Sequence, residues 1–247
     1  MNNLFKKVFS LIFLGIFIFS TFKIYTIIEI GKREENNFKE IRAEFEKNKG
    51  NSLENKKDYF INDSMARLFK KNKDFVAWIN INKTPIDYPV MSSPRDANYY
   101  LRKNFNKKYS VSGTFFIGDG LSPYEKSFVI YGHNMNNKTM MGTLDKYADK
   151  NYMLQHSYID FTTLKDVRKY KIVTAFYGNV EKSDFKYYNY CGNLSREEFD
   201  EFVQKLSKVS LYGSVSDLGY EDDMMMLSTC SEDSGPKRFV VVAKRIS

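Results

Sequence analysis

The chain of 247 residues holds only two cysteines, Cys191 and Cys230, and only two histidines, His133 and His156. These four lie at no spacing that resembles a zinc site, and Asp119, Asp222 and Asp223 cluster too loosely for calcium. No metal and no cofactor are therefore expected. A disulfide framework is missing too. Cys191–Cys230 is the one intrachain pair available, and it would join a tyrosine-rich loop to a strand end across a distance that sequence does not fix, so no bridge is expected. The net charge of +8 comes without an arginine-rich stripe or a nucleic-acid motif, which sets nucleic acid aside and leaves anionic lipid or an acidic cell wall as neighbours. There is no internal repeat and no low-complexity tract.

Charge is also absent from Val8 to Phe22, a run dense in Phe, Ile and Leu that continues after Lys23 through Ile24-Tyr25-Thr26-Ile27-Ile28. A membrane-spanning helix needs about 20 mostly apolar residues, and Lys23 can snorkel to the headgroups. No small-x-small cleavage site follows the run, so an uncleaved anchor is expected rather than a removed secretion signal. Lys6 and Lys7 favour a cytoplasmic N-terminus, although Lys23, Lys32 and Arg33 blunt the asymmetry. The expected organisation is a cytoplasmic tail (1–7), a transmembrane anchor (8–28), an extracellular connector with helices (29–74) and a catalytic domain (75–247).

The connector is rich in Lys, Glu and Asn. Phe38, Ile41 and Phe45 fall at helical spacing, as do Met65, Leu68 and Phe69, with Asp63 or Ser64 as a cap. Asn48 to Ser52 reads as a break between the two helices. The bland reading of the first helix is a solvated stalk, and of the second ordinary packing on the domain.

From Phe75 onward, 16% aromatic content and many β-branched residues point to sheet. Strands are expected at Phe75–Ile81, Ile86–Val90, Gly113–Ile117, Phe128–Tyr131, Tyr158–Thr162, Tyr170–Tyr177, Met224–Thr229 and Phe239–Arg245. Such short, punctuated strands suggest a barrel or sandwich. Asp96–Leu101 and Met140–Tyr147 read as short helical turns. Ser195 with Glu198 forms a capping box that opens a helix over Ser195–Ser207, whose Phe199, Phe202, Val203 and Leu206 make one apolar stripe.

Three motifs carry chemistry. Leu227-Ser228-Thr229-Cys230 places a thiol at a strand end; Arg238 opens the run Phe239-Val-Val-Val-Ala243; and Tyr131-Gly132-His133-Asn134 ends an apolar strand. Cys, His and Arg at strand ends are the parts of a thiol acyl-transfer site. An isolated strand cysteine is usually a small buried hydrophobe, but the polar neighbours Ser228, Thr229 and Ser231 and the accompanying His and Arg motifs argue otherwise. His156 has no comparable setting and reads as surface. Arg238 can instead solvate a rim or pair with Glu232 or Asp233.

In this order and spacing the motifs resemble the sortases, membrane-anchored cysteine transpeptidases of Gram-positive bacteria, and class B most closely. The resemblance implies a mainly β fold, a closed or partly open barrel of about eight strands with N-terminal helices and a helix inserted between strands six and seven. It implies that the enzyme cleaves a C-terminal sorting signal of secreted proteins and joins the new carboxyl end to a peptidoglycan amine. Cys230 would be the nucleophile, His133 the acid–base residue and Arg238 the oxyanion donor. Ser228, Thr229 and Tyr188 on one side and Asn98 and Leu101 on the other would touch the signal peptide. In the family the residue after the cysteine is sometimes acidic; here it is Ser231, followed by Glu232 and Asp233, which leaves the acidic contact open. The alternatives are a membrane-anchored binding module without chemistry and a cysteine peptidase that releases product by hydrolysis. The order His133 before Cys230, with the cysteine ending a strand, disfavours a papain-like peptidase.

Overall fold

The computed structural model describes residues 3–48, 61–94, 96–181, 185–230 and 236–247. They form two units, Met1–Ile41 and Arg42–Ser247.

Helix α1 (Asn3–Asn48) runs without interruption across the expected anchor and the first part of the connector. Within the first unit its large apolar side chains from Phe5 to Ile28 stand exposed. Among the described residues this is the one helix long and apolar enough to cross a membrane, and a continuous exposed apolar sheath of that length is stable in lipid rather than water.

In the second unit the last turns of α1 are packed rather than solvated. Phe45 is buried and stacks on Trp78 with ring centroids 4.2 Å apart, and Arg42 Nε meets the Asp87 carboxylate at 2.6 Å. The break after Asn48 lies largely outside the described residues. Helix α2 (Asp63–Lys71) is capped not by Asp63 or Ser64 but by Asn62, whose side chain accepts the Met65 N–H at 3.0 Å. Ser64 lies two positions too far in to cap. Its hydroxyl donates instead to the Phe45 carbonyl, tying α2 to α1.

Eight strands follow: β1 (Phe75–Asn80), β2 (Asp87–Met91), β3 (Phe115–Ile117), β4 (Ser127–His133), β5 (Tyr158–Thr163), β6 (Val167–Asn179), β7 (Met224–Cys230) and β8 (Lys237–Arg245). All eight expected strands are present. They close into a barrel in the order β1-β2-β3-β4-β7-β8-β6-β5, with β2–β3 and β4–β7 parallel and the other pairs antiparallel. Closure leaves no sheet edge to protect. Short 3-10 turns stand at Tyr99–Arg102 and Leu144–Ala148, near the two expected helical turns, and a short helix α3 (Lys150–Gln155), not anticipated from the sequence, precedes β5.

Helix α4 (Arg196–Val209) sits between β6 and β7. Its capping box is complete: Ser195 Oγ accepts the Glu198 N–H at 3.2 Å, and Glu198 accepts the Ser195 N–H at 2.7 Å. Phe199, Phe202 and Leu206 pack with Phe185, Tyr190, Met224, Met226, Val240 and Val242. A helix has no room inside the barrel, so this cluster covers the outer wall of β7 and β8. Both strands are thus buried on both faces, which explains why Met224-Met-Met-Leu227 and Phe239-Val-Val-Val-Ala243 read as unbroken apolar runs.

Candidate active site

The site is a product of strand register. β4 and β7 run parallel through seven consecutive pairs, from Ser127↔Met224 to His133↔Cys230. β7 and β8 pair antiparallel up to Ser228↔Val240, two residues short of Cys230 and of Arg238. Arg238 in turn pairs with Gly178 on β6. His133 and Cys230 are therefore direct cross-strand neighbours, and Arg238 stands at the start of β8, the strand on the other side of β7.

His133 is held from several sides. It is 7% exposed, and its Nε2 lies 2.8 Å from the carbonyl oxygen of Leu101. Gly132 before it is obligatory, because a Cβ there would lie 2.7 Å from the Phe115 ring. Beyond it the chain turns back at once: the Met141 N–H donates to the His133 carbonyl at 3.0 Å, and the Met140 N–H donates to the hydroxyl of buried Tyr88 at 3.1 Å. Met140 adopts φ 54°, a left-handed conformation unusual for a side chain of its size. Strain held next to a reactive side chain needs such surrounding bonds to persist.

Arg238 is half-buried, and its Nη1 donates to the Lys237 carbonyl at 2.9 Å, which fixes how the guanidinium leaves β8. Ser231, Glu232 and Asp233, and with them the two acids proposed to pair with Arg238, lie outside the described residues.

The other expected site residues divide. Leu101 is half-buried and reaches the site through its main-chain carbonyl, while Asn98 is exposed at the start of the same 3-10 turn. Tyr188 is half-buried in the 3-10 turn Tyr187–Asn189 and packs on the α4 cluster. Ser228 and Thr229 are both buried, with their hydroxyls bonded within the fold. Ser228 is fully buried with its Oγ 2.7 Å from the Tyr187 hydroxyl. Thr229 Oγ1 accepts the Phe239 N–H at 2.9 Å, standing in for the strand ladder where β7 and β8 part.

Tyr187 belongs to the tyrosine-rich loop that precedes Cys191. Its ring lies against Gly178, the residue paired with Arg238, where an added Cβ would come within 3.4 Å of it. Cys191 is a free, half-buried thiol whose pKa burial pushes up to about 12, with Asp119 adding to the effect. A thiol held protonated in this way is a poor nucleophile near neutral pH. His156 is half-buried rather than freely exposed, with Nδ1 3.1 Å from the Asn82 carbonyl. Among the described residues no group of three or more His, Cys, Asp or Glu side chains is arranged to hold a metal ion.

The family model described as the sortase domain matches residues 79–246, nearly the whole barrel. The chain belongs to the sortase family. Similarity to curated sortase B proteins extends over the full length: 29% identity with sortase B of Listeria monocytogenes across 98% of this chain and 96% of that one, and 27% with sortase B of Staphylococcus aureus across 94% and 92%. Among solved structures, sortase B from Bacillus anthracis in complex with AAEK1 superposes with a TM-score of 0.76 at 22% identity, covering 89% of this chain and 99% of that one. The Staphylococcus aureus sortase B–substrate complex gives 0.71 at 23%, covering 88% and 98%. The helix between β6 and β7 and the N-terminal helices accord with that class. The chain is a member of the sortase B family of cysteine transpeptidases, which anchor surface proteins.

Proposed function

We propose that this sortase cleaves a C-terminal sorting signal of a secreted protein and transfers the new acyl end to an amine of peptidoglycan or its precursor. The observation that supports it is the pairing of His133 with Cys230 across β4 and β7, with Arg238 at the start of the adjoining β8. The Cys230 thiolate attacks the carbonyl carbon of the scissile peptide bond, and Arg238 donates hydrogen bonds to the oxyanion that forms. The C–N bond breaks as His133 gives its proton to the leaving amine, and a thioacyl enzyme remains. An incoming amine then attacks the thioester, His133 takes its proton, and the C–S bond breaks to return the thiolate. Asn98 and Leu101 form one wall of the peptide groove and Tyr188 the other.

Residues 8–28 span the membrane, residues 1–7 stay in the cytoplasm, and the connector 29–74 carries the catalytic domain 75–247 outside the cell. The exposed apolar side chains of α1 and the positions of Lys6 and Lys7 support this arrangement.

The test is intact mass of the full chain in detergent after incubation with a panel of sorting-signal peptides, with and without glycine or diamino-acid acceptors, beside Cys230→Ala. A thioacyl adduct that forms only with Cys230 and disappears into an amine-joined product supports the proposal. Cleavage without incorporation of amine would make the chain a peptidase, and no adduct with any peptide would favour a binding module.

A further inference from the structure

The carbonyl of Leu101 that meets His133 is itself held by a buried network. Tyr100, the preceding residue, is fully buried, and its hydroxyl donates to Asp74 Oδ2 at 2.8 Å while accepting from Asn72 Nδ2 at 2.8 Å. Asn72 also donates to the Phe105 carbonyl at 2.6 Å, and Asp74 is paired with Lys107 Nζ at 2.8 Å. Burial, reinforced by Asp74, raises the pKa of the Tyr100 phenol, so its proton stays in place to donate. From the other side, the Thr114 N–H donates to the Tyr100 carbonyl at 3.0 Å. Gly113, at φ 61°, passes so close that a Cβ would lie 2.5 Å from the Leu101 oxygen. The Leu101 oxygen is thus fixed between a glycine it cannot move past and a tyrosine anchored to the residues just before β1.

A carbonyl oxygen only accepts hydrogen bonds, so the 2.8 Å contact requires a hydrogen on Nε2 of His133. The transferable proton of the ring then belongs to Nδ1. We propose that Tyr100 is a positioning residue for transpeptidation: anchored between Asp74 and Asn72, it fixes the Leu101 carbonyl against Nε2 of His133 and so selects Nδ1 as the nitrogen that exchanges protons with the substrate amines. This rests on the acid–base role of His133. Neither Tyr100 nor Asp74 touches the reacting atoms, and their effect passes through the tautomer of one ring. A ring held in one tautomer presents its lone pair where a proton must be taken; a ring that samples both presents an N–H there part of the time.

With only two histidines, the ring nitrogens can be read directly by nitrogen-15 NMR of the full chain in detergent, with His156→Gln giving the assignment. The expected neutral form of His133 carries hydrogen on Nε2. In Tyr100→Phe the signals shift toward a mixture of tautomers, and kcat falls roughly tenfold while KM stays within about twofold. Asp74→Ala, which removes the acceptor from outside the loop, shifts the ring in the same direction, and Asp74→Asn, which keeps a carbonyl acceptor for Tyr100, restores it. Tyr124→Phe removes a hydroxyl from the β3–β4 connection, at the end of β4 remote from His133, and leaves both readouts unchanged. An Nδ1–H ring in the unaltered chain overturns the proposal, as do wild-type tautomer and kcat in Tyr100→Phe and Asp74→Ala. Absence of any thioacyl adduct in the unaltered chain counts instead against the catalytic reading, while the ring spectrum still decides the positioning.

Discussion

Thr229 is where the barrel and the site depend on one hydroxyl. The β7–β8 ladder ends at Ser228↔Val240, and beyond it the Phe239 N–H finds its partner in Thr229 Oγ1 at 2.9 Å. Phe239 and Thr229 are both buried, so no water replaces that bond if it is lost. Thr229→Val keeps the shape and branching of the side chain and removes the hydroxyl, which accepts from the Phe239 N–H and donates a long bond of 3.5 Å to the Phe239 carbonyl. Leaving a buried N–H unsatisfied costs about 2 kcal/mol, which for a unit of this size lowers Tm by roughly 4–8 °C. The loss falls one residue from Cys230 and one from Arg238, so their spacing loosens as well. Since a displacement near 1 Å can cost on the order of a hundredfold in rate, kcat/KM is expected to fall at least about tenfold. The assay is thermal unfolding of the full chain in detergent by near-ultraviolet circular dichroism, beside transpeptidation rates, with Thr229→Ser as the variant that restores the hydroxyl. If Thr229→Val melts with the parent and turns over at the parent rate, the hydroxyl is not what holds the strand ends, and the support assigned to it is refuted.

Arg238→Lys keeps the charge but loses the planar fork, so kcat is expected to fall on the order of a hundredfold, as for loss of an oxyanion donor. Steady-state kinetics at the parent's level would remove Arg238 from that role. Burial raises the Cys191 pKa to about 12, so at pH 8 its thiolate is scarce and a thiol alkylating reagent is expected to modify the native chain at Cys230 alone. Equal labelling of Cys230→Ala, read by intact mass, would contradict this. Ser195→Ala removes one arm of the capping box on α4 and is expected to cost about 1 kcal/mol, or roughly 2–4 °C in Tm, with turnover preserved. An unchanged melting curve would mean that the packing of Phe199, Phe202 and Leu206 alone fixes the helix.

Much of the fold was legible because it is written in local signals. Strand residues are aromatic and β-branched between turn residues, and the Ser195–Glu198 box marks the start of α4 without any knowledge of what it packs on. What failed were details that depend on contacts far away in sequence. Asn62 caps α2 where Asp63 or Ser64 seemed equally able, because Ser64 is drawn to the Phe45 carbonyl of α1. The end of α1 is packed rather than solvated because Trp78 of β1 offers Phe45 a stacking partner, which no periodicity within the helix announces. In the sequence Ser228 and Thr229 are simply polar neighbours of a nucleophile. Their hydroxyls answer instead to Tyr187 and to the backbone of Phe239.

The site shows the same division more sharply. Cys230, His133 and Arg238 could each be picked out by residue type at a strand end, but their meeting is a statement about register. In a sheet a slip of one residue moves every side chain of a strand to the opposite face. Here slippage of β7 is opposed on both faces at once: Met224 and Met226 are taken up by the α4 cluster on the outer wall, while Met225 and Leu227 alternate with them and are fully buried as well. Because β7 lies between β4 and β8, its register against each decides whether Cys230 falls beside both His133 and Arg238. A helix whose own surface takes no part in the chemistry therefore has a stake in it. By burying Met224 and Met226 on the outer face of β7, α4 holds the strand against the barrel and supports the register that sets Cys230 beside His133.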